Sequence, residues 1–149
     1  MHIGIAADYG RYELKEQLAM KLRARGFEVE DYRTQCLNAS DDYPDFVVPL
    51  ARNVATRDVE RGIVMGGSGV GACVVANKIP CVRADMIHDG YSARQGVEDD
   101  NMNVICVGGR VIGPALDWHL VQIFISSRCS GREHHKRRLA KVAQEETKQ

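Results

Sequence analysis

The stretch IVMGGSGVGACVVANK, residues 63–78, decides what fold to expect from this chain. Its first residues form an apolar run typical of a buried strand, and the run breaks into GGSGVG at 66–71. Apolar residues then resume over a short helical segment that stops near Pro80. Glycines turn the main chain at positive φ and leave its N–H groups uncovered. A strand that enters a helix through such a loop predicts an anion cradle, or, as the plainer alternative, a tight turn without a ligand.

The loop matches neither of two familiar phosphate-binding motifs. A Walker A loop ends in Lys followed by Ser or Thr, whereas the nearest lysine here, Lys78, comes too late. A dinucleotide fingerprint needs G-x-G-x-x-G spacing and a later acidic residue, and neither stands out. The open alternatives are a phosphate cradle and a set of N–H donors for a developing oxyanion, where one donor is worth roughly 3–4 kcal/mol of barrier.

Apolar runs alternate with helix-period segments along the rest of the chain. Strands are predicted at 2–8, 27–32, 61–66, 81–88 and 102–108, and helices at 11–26, 44–56, 70–79, 90–100, 113–127 and from about 131, with a polar loop at 33–46. Strands separated by helices favour a parallel sheet with right-handed crossovers and helices on both faces. The prediction is an α/β fold with a five-stranded parallel sheet, built as one domain over 1–149 with a frayed polar end.

Composition narrows the function classes. The 149 residues carry 20 Lys plus Arg against 20 Asp plus Glu, so zero net charge gives no electrostatic case for nucleic acid or membrane partners. No apolar run approaches ~18 residues, and the first ten residues lack the zones of a signal peptide. Five cysteines without a CxxC pattern favour reduced thiols in the cytoplasm. Adjacent His134 and His135 lack further ligands, so we expect no metal.

Three informative segments follow predicted strands. They are Asp8-Tyr9-Gly10, the glycine loop at 66–71 and Gly108-Gly109-Arg110. Ligands of open parallel sheets bind beyond the carboxyl ends of the strands. The sequence therefore predicts that these segments converge on one site.

At this point the chain resembles a known family, the ribose-5-phosphate isomerase B and galactose-6-phosphate isomerase family. The resemblance spans nearly the whole chain and rests on IAADYGRYELK (5–15), DDYPDF (41–46), GGSGVGACVVANKIPCVRA (66–84), MNVICVGGRVIG (102–113) and HHKRR (134–138). It implies a Rossmann-like three-layer α/β/α sandwich that works as a dimer or tetramer. It also implies aldose–ketose isomerisation of sugar phosphates through an enediolate, without metal or cofactor.

The resemblance also implies roles for individual residues. Asp8 and Tyr43 would contact sugar hydroxyls, and the loop would cradle the enediolate oxygens. Arg110 and Arg138 would bind phosphate, partly from the neighbouring subunit. The implied substrate-binding set is Asp8, Tyr9, Tyr43, Gly67, Ser68, Gly69, Val70, Gly71, Asp100, Arg110, His134 and Arg138.

The chain departs from the family pattern where the chemistry is expected. Members carry a cysteine base just before the loop, where this chain has Gly66, or a glutamate just after it, where it has Ala72. Cys73 is one residue further on and could act only from a rotated helix start, and a buried thiol is the plainer reading. The candidate catalytic positions are Gly66, Ser68, Cys73 and Asp99.

Three further departures touch the same site. Asp99 replaces the family's ring-opening histidine and Asp100 a common asparagine, so a carboxylate there could move a proton or repel an anionic substrate. Tyr9 stands where a histidine is usual. His134 replaces one phosphate-binding arginine, with Arg132 near enough to substitute.

Two functions stay open, and a third is disfavoured. The first is an isomerase in which Asp99 or Cys73 moves the proton, with an open-chain tetrose phosphate as one possible substrate. The second is a catalytically impaired phosphosugar binder or partner subunit, and Gly66 itself could be an inactivating replacement. Nucleic-acid binding through HHKRR is disfavoured because the same helix carries glutamates at 133, 145 and 146.

Overall fold

Strands and helices follow one another as the apolar pattern predicts, within residues 1–32 and 42–148, which the computed structural model describes. The elements are β1 (His2–Ala7), a 3-10 turn (Tyr9–Arg11), α1 (Tyr12–Ala24), β2 (Glu28–Asp31), α2 (Pro44–Ala55), β3 (Arg61–Gly66), α3 (Val70–Ala76), β4 (Ala84–Met86), α4 (Gly90–Asp100), β5 (Val104–Gly108), α5 (Pro114–Ser126) and α6 (Glu133–Glu146). Most of the predicted polar loop 33–46 lies outside the described residues. No helix within them is long and apolar enough to cross a membrane.

The sheet is parallel throughout, in the order β2-β1-β3-β5-β4. Side chains alternate between its two faces, so odd and even positions of one strand enter different cores. Ile3, Ile63 and Ile105 pack with α1, α4 and α5, whereas Val64 and Cys106 pack with α2 and α3. The prediction of a three-layer α/β/α sandwich on a five-stranded parallel sheet is confirmed.

Local signals explain where several helices begin and end. α2 and α5 each begin with a proline at the first turn, where its missing N–H costs nothing. α1 ends before Gly26, whose φ of 88° is the left-handed conformation common after helices. The Asp89 carboxylate caps α4 by accepting a hydrogen bond from the Ser92 N–H at 2.7 Å.

The fourth strand is shorter than the sequence predicts. The apolar pattern predicts a strand over 81–88, but β4 spans only Ala84–Met86. Cys81 has a φ of 70°, which a strand does not accommodate, and the Val82 N–H donates back to the Ile79 carbonyl. A turn from Ile79 to Val82, which contains Pro80, therefore occupies the start of the predicted strand.

The strand order creates a crevice between β1 and β3. From β1 the chain runs through α1 on one face of the sheet, and from β3 it runs through α3 on the other. Neighbouring strands whose helices leave toward opposite faces open a gap beyond their carboxyl ends, and ligands of such sheets bind there. The fold thus places residues 8 and 66–71 at the expected position.

Candidate active site

A cavity of about 250 Å³ lies in this crevice. Its lining comes from the end of β1, the start of α2, the end of β3 and the glycine loop with the start of α3. The lining residues are Asp8, Tyr43, Phe46, Val64, Met65, Gly66, Gly67, Ser68, Gly69, Gly71 and Ala72. One chain therefore brings together Asp8, Tyr43 and most of the loop that the sequence singles out.

The loop needs its glycines for shape. Gly69 has a φ of 86° and precedes the first residue of α3. A Cβ on Gly71 would lie 2.7 Å from Cζ of Tyr43, so the bare backbone lets the tyrosine ring rest against the loop. A Cβ on Gly108 would lie 2.6 Å from the Ser68 carbonyl oxygen. The loop is thus packed between Tyr43 on one side and the end of β5 on the other.

Main-chain donors of the loop face few acceptors in the described part of the chain. The Val70 N–H donates to Ser68 Oγ at 3.2 Å, which fixes the serine hydroxyl on the loop. The N–H groups of Gly67, Gly69 and Gly71 have no acceptor among residues 1–32 and 42–148. Unsatisfied donors beside a cavity are suited to hold an oxyanion or phosphate.

Gly66 leaves open space at the position where the family resemblance implies a cysteine. A Cβ built there would meet its nearest neighbour, the Gly69 nitrogen, at 3.5 Å, which is an ordinary contact. Ala72 lines the cavity with a methyl group and brings no proton-transfer function. Neither Gly66 nor Ala72 therefore offers a base.

Cys73 does not line the cavity. Its Sγ lies 3.5 Å from the Ala84 carbonyl oxygen and 3.6 Å from Asn77 Nδ2, beside β4. A hydrogen bond from the Cys106 thiol lowers the pKa of Cys73, because it favours the thiolate. The pKa of Cys106 is raised by that same interaction and by burial. The structure directs this thiol toward the sheet.

Two arginines follow β1 and β5 at the carboxyl edge of the sheet. The exposed Arg110 donates its main-chain N–H to the Gly67 carbonyl at 3.0 Å, and its side chain lies 3.8 Å from where a Gly67 Cβ would be. Arg11 packs against Gly109, where an added Cβ would fall 2.4 Å from the guanidinium Nε. That Nε is buried without a hydrogen-bond partner in the described residues. Arg110 was predicted from sequence, and Arg11 was not.

His88 is a second residue that the sequence analysis missed. It follows β4, and its Nε2 accepts the Gly108 N–H at 3.3 Å. The main chain of Ser68 packs against the same glycine. The Nε2 atom of His88 therefore acts as an acceptor for the main chain at the end of β5. Its position after an apolar strand, like that of Asp8, is the signal that could have identified it.

Other predicted site residues lie away from the cavity. Asp99 and Asp100 end α4, near the amino edge of the sheet, and Asp99 is held by Gln95 at 2.8 Å and by His135 at 3.5 Å. His134 and Arg138 lie on α6, and Val70 and Tyr9 are exposed at the carboxyl edge without lining the cavity. Within one chain the basic segment of α6 does not reach the glycine loop.

The α6 segment is strongly basic. Partial burial, His135 and neighbouring arginines 132, 137 and 138 lower the pKa of His134, since each disfavours its charged form. The His134 and His135 ring centroids are 4.0 Å apart. No cluster of three or more metal-ligating side chains occurs within the described residues.

A larger cavity of about 470 Å³ lies between α6 and the turn before β4. Arg83, Asn101 and Glu146 are among its lining residues, so it opens at the amino edge of the sheet. Parallel-sheet ligands bind at the opposite edge. We therefore assign the candidate active site to the smaller cavity.

Comparisons with known proteins agree with this geometry. A solved structure of ribose-5-phosphate isomerase B from Clostridium thermocellum has a TM-score of 0.94 and 37% identity, covering 99% of each chain. Ribose-5-phosphate isomerase B from Mycoplasma genitalium, solved with bound ribulose-5-phosphate, has a TM-score of 0.93 and 31% identity, covering 99% of this chain and 97% of that one.

Two comparisons of sequence point the same way. D-erythrulose-4-phosphate isomerase of Pectobacterium atrosepticum is 34% identical over 131 residues, covering 88% of this chain and 86% of that protein. The family model described as Ribose/Galactose Isomerase matches residues 3–142. These matches confirm the resemblance seen in the motifs: the chain belongs to the ribose/galactose isomerase family.

Proposed function

We propose that this protein is an aldose–ketose isomerase of a small phosphorylated sugar, of the ribose 5-phosphate/ribulose 5-phosphate type. The observation that carries the proposal is the cavity between β1 and β3, where Asp8 and the glycine loop meet. Its volume is at the small end of ligand pockets and suits a metabolite of four or five carbons. Relatives act on substrates of both sizes, as the names D-erythrulose-4-phosphate isomerase and ribose-5-phosphate isomerase B state.

Isomerisation requires the site to move one carbon-bound proton and to stabilise negative charge on two adjacent oxygens. The uncovered N–H groups of Gly67, Gly69 and Gly71 supply donors for those oxygens. Tyr43 and Asp8 supply polar atoms for the sugar hydroxyls from the other side of the cavity. Since Phe46, Val64 and Met65 complete the lining, the reacting carbons would be held away from bulk water.

The phosphate requires cations at the mouth of the cavity. Arg110 lies against Gly67 and is exposed, so its guanidinium is available to an anionic group there. His134 and Arg138 are too far along α6 to serve the cavity of their own chain. We therefore infer that a second copy of the chain contributes them, in a dimer or a dimer-based tetramer.

Substitution of Arg110 tests the phosphate assignment. Arg110→Met is expected to raise KM for ribose 5-phosphate or erythrose 4-phosphate by about 10–100-fold, because a charge-assisted hydrogen bond is lost. Steady-state rates would be measured over sugar phosphates of four, five and six carbons. Arg52→Met, which removes an exposed arginine on α2, is the matched control and should stay within about twofold. Equal effects of the two substitutions would contradict the assignment.

A second candidate function is a catalytically impaired phosphosugar binder or a partner subunit of a related isomerase. The observation that favours it is the cavity lining, which contains neither a thiol nor a glutamate among the described residues. Gly66→Cys distinguishes the two functions, because a cysteine fits the open space there. A rate gain well above tenfold would favour the impaired protein, and a smaller change would favour an isomerase that already has its base.

A further inference from the structure

The proposed isomerisation needs a base beside the substrate carbons, and the cavity lining offers few. Among its described lining residues only Asp8 and Tyr43 have ionisable side chains. A phenol is protonated at neutral pH in its ordinary state and is a weak base, whereas a carboxylate is ionised and ready to accept a proton. The chemistry of the lining therefore directs attention to Asp8.

Asp8 is located next to Gly66, where the family resemblance implies a cysteine base. β1 pairs with β3 so that Ala7 faces Met65, and the Asp8 N–H continues the ladder by donating to the Met65 carbonyl at 3.2 Å. Asp8 therefore lies beside Gly66. Both residues line the same cavity, so the carboxylate-bearing residue and the position without a side chain are neighbours on its wall.

The Asp8 carboxylate also has one oxygen that the described residues leave without a partner. It precedes the 3-10 turn Tyr9–Arg11 as its N-cap, but its side chain makes no capping hydrogen bond. Its Oδ1 is buried and has no hydrogen-bond partner among the described residues. A buried carboxylate oxygen is normally satisfied, so an unsatisfied one on a residue that lines a cavity points to a role toward a ligand.

The alternative bases are engaged elsewhere. The Cys73 sulfur contacts the Ala84 carbonyl and the Asn77 amide, away from the cavity. Asp99 accepts a hydrogen bond from Gln95 and pairs with His135 between α4 and α6. Neither residue lines the cavity in its own chain.

We propose that Asp8 is the general base that carries the proton between the two carbons, in place of the thiol that Gly66 lacks; this inference rests on the proposed function. In the aldose-to-ketose direction, the carboxylate takes the proton from C2. The C–H electron pair forms the C1=C2 bond, and the carbonyl electrons move to O1, which the loop N–H groups hold. A proton passes from O2 to O1. The Asp8 carboxylic acid then returns its proton to C1 as C2=O forms, which regenerates the carboxylate.

Asp8→Asn tests the proposal, because it preserves shape and hydrogen bonding but removes the base. We expect kcat for ribose 5-phosphate to fall by about 10²–10⁴-fold. Exchange of the carbon-bound proton with D2O, followed by NMR, should fall in parallel. The affinity for ribitol 5-phosphate, which has no carbonyl and cannot isomerise, should stay within about threefold by calorimetry, because the asparagine keeps polar atoms for the sugar hydroxyls and proton transfer does not contribute to binding.

Cys73→Ser and Asp99→Asn are the matched controls, each removing an alternative base. Both should keep proton exchange within about tenfold of the wild type, well short of the loss of a general base. An equal loss in either control, or a weakened affinity of Asp8→Asn with its exchange intact, overturns the proposal and returns Asp8 to a role in hydroxyl binding.

A second variant covers the case in which Asp8→Asn does not fold. Asp8→Ala should lose exchange equally, and added formate should restore it in a saturable manner by supplying a carboxylate. Exchange that persists in whichever variant folds overturns the proposal. If the wild type shows no exchange or turnover with any sugar phosphate of four to six carbons, the proposed function itself fails, and the assignment of Asp8 fails with it.

Discussion

At the carboxyl edge of the sheet, four buried side-chain atoms have no hydrogen-bond partner among the described residues: Asp8 Oδ1, Arg11 Nε and both carboxylate oxygens of Asp117. At the amino edge the corresponding groups are satisfied. Arg83 Nε donates to the Asn101 carbonyl at 2.7 Å, and the Asn103 side chain joins the Arg83 N–H to the Cys81 carbonyl.

This difference distinguishes the carboxyl edge, which is suited to ligand binding, from the amino edge, where the polar groups hold the fold together. An unsatisfied buried polar group costs roughly 1–3 kcal/mol, and natural proteins retain such costs mainly where function requires them. The amino edge carries no comparable cost in the described part of the chain. We therefore expect replacement of the unsatisfied Asp8 carboxylate to affect activity and stability in opposite directions, and substitutions at the amino edge to affect stability alone.

The largest expected effect tests whether one site is completed across a subunit boundary, by Asp8 of one chain and Arg138 of its partner. Asp8→Asn and Arg138→Met chains, each weak alone, would be co-expressed with different tags and the mixed oligomer purified. If Arg138 serves the cavity of its partner, one of the two sites in each mixed dimer is wild type, so about half of wild-type activity returns. Mixing Asp8→Asn with the Asp8→Asn/Arg138→Met double variant is the control and should restore nothing. No recovery in the first mixture would place Arg138 outside the shared site.

A methyl group on Gly108 is expected to have the next largest effect. The added Cβ would lie 2.6 Å from the Ser68 carbonyl oxygen, which is main chain and has little room to move. Gly108→Ala should lower the free energy of unfolding by about 1–3 kcal/mol and kcat/KM by at least about tenfold, because the loop must shift. Gly113→Ala is the matched control, since nothing lies within 4 Å of its Cβ position. Chemical denaturation and kinetics of both variants would show whether the loop is as tightly seated as its contacts indicate.

Substitution of Asp117 is expected to have the smallest effect, and its effect on stability should depend most clearly on pH. The side chain is buried in the first turn of α5, and burial raises its pKa to about 6 from 3.8. Because the unfolded chain releases this proton more readily than the folded chain, the carboxyl group progressively destabilises the fold as pH rises from about 4 to about 6, and the full cost persists above that. Asp117→Asn should therefore stabilise the protein by about 1–3 kcal/mol at pH 8 and far less at pH 4.

Thermal unfolding across this pH range provides the measurement for Asp117. Asp45→Asn is the matched control, because Asp45 occupies the first turn of α2 but is exposed. It should leave stability unchanged or slightly lower it at neutral pH, since it removes a favourable helix N-terminal charge. A pH-independent gain for Asp117→Asn would mean that the carboxylate is not the source of the cost.

Sequence patterns predicted the fold and the position of the loop because both depend on local regularities. Apolar runs identified β1, β3 and β5, and the glycines at 66–71 identified the strand-to-helix turn. Asp8 and Arg110 could be placed at the same edge because carboxyl ends of parallel strands converge there.

What the sequence could not predict depends on contacts between distant segments. The Arg11 side chain packs where it does only because Gly109, nearly 100 residues away in the sequence, has no side chain at the point of contact. Asp117 reads as an ordinary polar residue near a helix start, and only the packing of α5 buries it. Cys73 is one residue from a lining position, yet its sulfur turns toward β4, and no spacing in the sequence shows that direction.

The contact between Arg11 and Gly109 has a consequence for redesign of this edge of the sheet. The Arg11 side chain occupies the volume that any side chain at 109 would fill, so these two positions behave as one unit despite their separation in the chain. A library that varies residue 109 alone would mainly displace Arg11. Exchanging both together, for example a small residue at 11 with a larger one at 109, would change the surface beyond the carboxyl ends of β1 and β5 while leaving the strands intact.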